Sequence, residues 1–277
     1  MRVLISAQEL GERISCGEAP VLLDVRWVLG DPYGQQQYRE GHIPGAVYVD
    51  LNAELAAPAH PLEGRHPLPD PADLQAAARR WGLRDGDTVV AYDASGAMAA
   101  ARAWWLLRWA GFGAVQVLDG GLAAWRAAGL PLEAGEVTPA PGDVVLGHGQ
   151  MPVIPLDGVL AAAEAVLLDA RAGERFRGET EPIDPYAGHI PGAVSAPTGD
   201  NLGPDGCFLP AVELRRRFEA LGVRDGVPVG VYCGSGVTAA HEIAALAIAG
   251  FDAALYPGSW SQWSNHEELP RAVGAEA

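Results

Sequence analysis

The chain is written twice, and that repeat limits the folds open to it more than any other feature. Val21-Leu22-Leu23-Asp24-Val25-Arg26 returns as Val166-Leu167-Leu168-Asp169-Ala170-Arg171. The turn Gly41-His42-Ile43-Pro44-Gly45-Ala46 returns unchanged as Gly188-His189-Ile190-Pro191-Gly192-Ala193. A third match sets Thr88–Trp105 against Pro228–Ala245, and a fourth sets Asp119-Gly120-Gly121-Leu122 against Pro257-Gly258-Ser259-Trp260. Four matches in one order are the mark of a duplicated structural unit. Each unit, at about 120 residues, is domain-sized. Within a unit, short β-branched runs alternate with helical stretches such as 71–81 and 212–221. That alternation predicts an α/β fold: two tandem domains, each a parallel sheet with helices on both faces. Between the copies, 133–152 is rich in Gly and Pro and lacks apolar periodicity, so it reads as a linker. The expected domains are 1–132 and 153–277.

Composition narrows the class. At 49% apolar residues the chain has ample material for its cores, and nowhere do eighteen uncharged apolar residues run together. Met1–Leu10 carries charge early and has no long apolar run, so neither a leader nor a membrane partner is expected. The net charge of −16 argues against nucleic acid, and it requires that any anionic substrate be captured by a local cationic or amide-lined site. Cys16, Cys207 and Cys233 are too few and too scattered for a disulfide framework or a metal site. The expectation is a cytoplasmic protein with a free thiol, without metal or cofactor.

Of the three thiols, Cys233 has activating surroundings. In Val229-Gly230-Val231-Tyr232-Cys233-Gly234-Ser235-Gly236-Val237-Thr238 it stands where a strand gives way to a helix, the end of a parallel strand at which such folds collect ligands. An ordinary thiol titrates near ~8.5, and lowering that by two units takes about 2.7 kcal/mol. A hydrogen bond to an anion contributes roughly 1.5–3 kcal/mol, so two or three amides from a glycine loop and a helix N-terminus suffice. The alternative is a buried, inert cysteine ending a core strand.

The duplication separates scaffold from chemistry. Features in both copies are explained by the shared fold: His42 and His189 in the turn, and Arg26 and Arg171 as salt-bridged supports after matched strands. Trp104, Trp105 and Trp109 lie at helical spacing and read as core or interface. Cys233 is different, because its counterpart is Asp93. Arg175, in Glu174-Arg175-Phe176-Arg177, has no matching arginine in the first copy, and it suits either a substrate carboxylate or sulfonate or a solvated loop. His66 occurs only in the first copy, in Arg65-His66-Pro67-Leu68-Pro69, and Asp50 ends the preceding strand. Either could face the second copy's loop, with a plain surface histidine as the alternative for His66. Cys16 and Cys207 have no activating context.

Together these motifs resemble the tandem-domain rhodanese family of sulfurtransferases, over essentially the whole chain. The Gly-His-Ile-Pro-Gly-Ala turn, the Gly258-Ser259-Trp260-Ser261-Gln262-Trp263 segment and the Cys233-Gly234-Ser235-Gly236-Val237-Thr238 loop carry the resemblance, the last being similar to the 3-mercaptopyruvate branch. It implies an inactive first domain and a catalytic second one. It also implies a Ser-His-Asp set, which by motif position is Ser235, His66 and Asp50, with extra residues between the last two. Cys233 would take a sulfur from a small anionic donor as a persulfide and pass it to cyanide, a thiol or a thioredoxin-like acceptor. The donor would be held by Arg175 and by the loop residues Gly234, Gly236, Val237 and Thr238. The branch's second substrate arginine, in an E-P-x-R or E-P-R segment, is missing: Glu181-Pro182 is followed by Ile183-Asp184-Pro185. Thiosulfate-type members carry cations directly after the cysteine, where this chain has Gly234 and Ser235. 3-Mercaptopyruvate is therefore the expected donor and thiosulfate the alternative. A persulfide carrier without a small donor is the non-enzymatic alternative. A cysteine-dependent phosphatase would need an arginine six residues after the cysteine, where Ala239 stands.

Overall fold

The computed structural model describes residues 2–160 and 165–275. The chain folds into two compact units that are not contiguous in sequence. The first comprises Met1–Leu55, Pro69–Met151 and Leu202–Phe208; the second comprises Ala56–Leu68, Pro152–Asn201 and Leu209–Ala277. The Gly/Pro-rich stretch up to Met151 belongs to the first unit. Each repeat also lends a short stretch to the other repeat's unit, which a contiguous division at 133–152 does not capture.

In the first unit, strands β1 (Leu4–Ile5), β2 (Val21–Asp24), β3 (Val47–Tyr48), β4 (Val89–Tyr92) and β5 (Val115–Leu118) form an all-parallel sheet of order β1-β5-β4-β2-β3. Helices α1 (Ala7–Ser15), α2 (Gly34–Glu40), α3 (Leu51–Glu54), α4 (Pro71–Arg80), α5 (Ala100–Trp109) and α6 (Gly121–Ala127) surround it. Successive strand residues face opposite sides. Leu22, Val90 and Tyr92 pack with Leu10 of α1 and Leu122 and Trp125 of α6. Their neighbours Leu23, Val89 and Ala91 are equally buried, and α5 packs against β4 and β5 with Trp104 and Trp105 fully enclosed. A sheet covered on both faces needs strands that are apolar throughout, which is how Val-Leu-Leu and Val-Val-Ala read.

The second unit repeats the plan. Strands β6 (Val166–Asp169), β7 (Ala193–Ser195), β8 (Val229–Tyr232) and β9 (Ala254–Leu255) form a parallel sheet of order β7-β6-β8-β9. Helices α7 (Gly173–Phe176), α8 (Ala211–Ala220), α9 (Thr238–Ala249) and α10 (Ser259–Trp263) accompany it. The role of β1 falls to an isolated parallel bridge from Val153 to Leu255.

The shared motifs are scaffold in both units. Arg26 pairs with Asp24 at 2.5 Å and Arg171 with Asp169 at 2.6 Å, all four buried. His42 stacks on Tyr38, and its Nδ1–H donates to the Tyr38 carbonyl; His189 does the same with Phe176. The backbone amides of Ile43 and Ile190 donate to the hydroxyls of Tyr92 and Tyr232, each at 3.1 Å. This ties the turn to the strand that leads into the loop carrying Asp93 or Cys233. Among the described residues, no helix is long and apolar enough to cross a membrane.

Candidate active site

Cys233 follows the last residue of β8 and is 1% exposed. The amide of Gly236 donates to its Sγ at 3.1 Å. Gly236 has φ +77°, and a Cβ there would lie 2.5 Å from the Pro257 carbonyl oxygen, so only glycine turns the chain back toward the sulfur. Val237 is the N-cap of α9 and Thr238 its first residue, so the helix N-terminus opens directly behind the loop.

Helix α10 holds the loop in place. The Ser259 hydroxyl accepts the Cys233 amide at 3.2 Å and donates to the Tyr256 carbonyl at 2.9 Å. The Trp260 amide donates to the Cys233 carbonyl at 3.0 Å, and the Ser261 amide to the Gly234 carbonyl at 2.9 Å. Ser259 sits at φ +54°, a left-handed conformation that its counterpart Gly121 shares at the same angle. A serine in a glycine conformation is strained, and here its hydroxyl positions the cysteine backbone. Sequence reading missed Ser259, although the Gly121–Ser259 contrast between the repeats was the available signal.

The segment Ala56–Leu68 brings two more side chains to the loop. His66 Nδ1 lies 2.8 Å from Ser235 Oγ, both buried. Arg65 is anchored through its amide to the Ser261 hydroxyl at 3.1 Å. A Cβ on Gly234 would stand 3.0 Å from Arg65 Nη2 and 3.4 Å from Arg175 Nη1, so glycine at this position leaves room for two guanidinium groups. The cation that sequence reading found lacking beside Cys233 is thus supplied through space. Arg65, also missed, is legible only once His66 is known to reach Ser235.

Both arginines are paired. Arg175 binds Glu181 through Nε at 3.2 Å and Nη2 at 2.7 Å, and Asp184 at 3.3 Å; Arg65 binds the other oxygen of Asp184. Asp184 lies in the segment that lacks the second arginine, and burial raises its carboxyl above the usual range, against the lowering pull of Arg65 and Arg175. Beside this cluster is a cleft of about 300 Å³ lined by Gly64, Arg65, Ile183, Asp184, Ser261 and Asn265 among others.

The other candidates are placed as follows. Asp50 belongs to the first unit, where it caps α3 by accepting the amides of Asn52 at 2.9 Å and Ala53 at 3.1 Å. Cys207 belongs to the same unit, and burial, followed by the Asp119 and Asp205 carboxylates, pushes its thiol up to about 11, which keeps it protonated. Cys16 is exposed.

The first unit shows what the loop does with an anion. Asp93 Oδ1 accepts the amides of Ser95 at 2.8 Å and Ala97 at 2.9 Å; Oδ2 accepts those of Ala99 at 2.8 Å and Ala100 at 2.9 Å. Four convergent amides form a nest for negative charge at a strand-to-helix junction. The matched positions in the second unit are Ser235, Val237, Ala239 and Ala240, with Cys233 in place of the carboxylate.

Known proteins share this architecture. A family model described as "Rhodanese-like domain" matches residues 6–128 and again 156–266. A Pseudomonas aeruginosa protein named "Probable 3-mercaptopyruvate sulfurtransferase" is 50% identical over 98% of each chain. A Mycobacterium tuberculosis protein named "Putative thiosulfate sulfurtransferase SseB" is 48% identical over 99% of this chain and 98% of its own. The crystal structure of SseA from Escherichia coli, titled as a 3-mercaptopyruvate sulfotransferase, superposes with a TM-score of 0.83 at 35% identity, covering 94% of this chain and 99% of that one. Two matched units, one nest closed by its own carboxylate and the other left to a thiol, make this chain a member of the rhodanese family.

Proposed function

We propose that this chain is a sulfurtransferase that moves a sulfane sulfur from 3-mercaptopyruvate through a Cys233 persulfide to a thiophilic acceptor, the second unit being catalytic and the first inactive. The observation that carries this reading is the Asp93 nest. The matched loop in the second unit presents a thiol: the Gly236 amide donates to its Sγ at 3.1 Å and the N-terminus of α9 follows directly behind, so backbone dipoles favour negative charge on the sulfur. The Cys233 thiolate attacks the donor sulfur, and an S–S bond forms as the donor's C–S bond breaks. The electron pair leaves on carbon as the enolate of pyruvate. The proton required at that carbon comes through Ser235 and His66, whose 2.8 Å contact forms a relay. An acceptor thiolate or cyanide then attacks the outer sulfur, the S–S bond breaks, and the Cys233 thiolate returns. The acceptor belongs to the class of small or protein thiols, and three free cysteines fit a reducing, cytoplasmic setting.

Thiosulfate is the second reading, favoured by Arg65 and Arg175 beside Gly234, because its leaving sulfite needs positive charge and no proton. The test is kcat/KM for both donors with cyanide as acceptor, in wild type, Ser235→Ala and His66→Ala. Mercaptopyruvate is expected to be the better donor. Both substitutions are expected to slow it by about 100-fold or more, the range of general acid catalysis, with a smaller effect on thiosulfate. Thiosulfate ahead in wild type, or equal slowing of the two donors, assigns the chain to thiosulfate.

A further inference from the structure

Asp184 bridges two guanidinium groups, one oxygen on Arg65 and the other 3.3 Å from Arg175 Nη2. Two arginines from distant stretches of sequence therefore converge on a single carboxylate, at the rim of a cleft and against the residue that follows Cys233. The Glu181 and Asp184 side chains are equally buried, at 3% exposure, and differ in what holds them. Glu181 is 3% exposed, accepts the amides of Ile183 and Asp184 at 3.1 Å each, and also meets Arg171, so it is a fixed anchor for Arg175. The Asp184 carboxylate, by contrast, accepts no backbone amide among the described residues and is held by Arg65 and Arg175. On the cation side, Arg65 Nε is buried without a hydrogen-bond partner among the described residues, a donor with capacity to spare. Its backbone is pinned through Ser261, the residue that also holds the Gly234 carbonyl, so one helix sets the distance between guanidinium and loop. Two cations balanced by two anions present little net charge to an incoming ligand, and a carboxylate donor must exchange with one of the anions.

Building on the proposed sulfur transfer, we propose that Arg65 and Arg175 form a two-guanidinium seat for the carboxylate of the sulfur donor, and that Asp184 is a built-in competitor occupying this seat until the donor displaces it. Arg65 supplies the second cation in place of the arginine absent from the segment after Glu181-Pro182, and Asp184 sets a threshold of donor concentration for loading Cys233. A donor with a planar carboxylate gains most, because the seat already fits that group.

Two substitutions of opposite sign test this, each read two ways at one fixed pH. Arg65→Gln is expected to raise the KM for mercaptopyruvate by about tenfold or more with a smaller change in kcat, and Asp184→Asn to lower that KM. The second readout does not depend on sulfur transfer: the ratio of Cys233 alkylation rates by iodoacetate and by neutral iodoacetamide. That ratio is expected to fall in Arg65→Gln and to rise in Asp184→Asn. The ratio reads the local charge that meets an anionic reagent, and the KM change reads whether the donor uses it. An unchanged KM and ratio in Arg65→Gln, or a raised KM in Asp184→Asn, overturns the proposal. If wild type does not turn over mercaptopyruvate while the alkylation ratios move as stated, the proposed donor fails and the anion seat stands.

Discussion

The strained residue beside Cys233 is a serine. At φ +54° a side chain costs about 1 kcal/mol relative to glycine, and the first unit has glycine at that place. What offsets the cost is the hydroxyl, which gives the buried Cys233 amide its acceptor. An unsatisfied buried amide costs roughly 1–3 kcal/mol. Ser259→Ala keeps the strain and loses the acceptor, whereas Ser259→Gly loses the acceptor but relieves the strain. The expected order of stability in urea denaturation is therefore wild type, then Gly, then Ala, with both variants slower in persulfide formation. Alanine more stable than glycine, or a glycine variant as fast as wild type, contradicts this role for the hydroxyl.

At the scale of elements, one strand-loop-helix unit serves two ends. Between β4 and α5 the loop is closed on Asp93, whose four amide partners make it a stability element; between β8 and α9 the matched loop carries Cys233, with the Gly236 amide on its sulfur. Asp93→Asn turns one acceptor oxygen into an NH₂ facing amide donors and is expected to cost about 3 kcal/mol, measured as a shift in the denaturation midpoint at unchanged slope. A change below about 0.5 kcal/mol, the scale of a neutral surface substitution, contradicts the stabilising role of the nest. The elements themselves were legible in the sequence, because β2, β4, β6 and β8 are short apolar runs and the repeat supplied a control for each. The Asp93–Cys233 contrast was legible for the same reason. Arg65 was not, since its place depends on the stretch Ala56–Leu68 joining the unit of the other repeat. Pattern along a chain does not encode such an exchange. Asp184 could be read as part of a segment lacking an arginine but not as the carboxylate that bridges two others, and the capping of α3 by Asp50 is a contact that motif position alone does not reveal.

Across the whole molecule, three thiols meet three different fates: Cys16 is exposed on α1's C-cap, Cys207 is held protonated by burial and two carboxylates, and Cys233 is seated in an amide-lined loop. At matched positions the first unit carries a carboxylate and the second a thiol. Sulfur loading of the intact chain therefore tests the central claim most directly. The protein is exposed to mercaptopyruvate without acceptor, digested under non-reducing conditions, and the cysteine peptides are weighed. The expected result is one added sulfur, on the peptide containing Cys233, removed by cyanide and absent from Cys233→Ser, which cannot form a persulfide. Added sulfur on the Cys16 or Cys207 peptide instead, or continued turnover by Cys233→Ser, would contradict a mechanism that runs through Cys233.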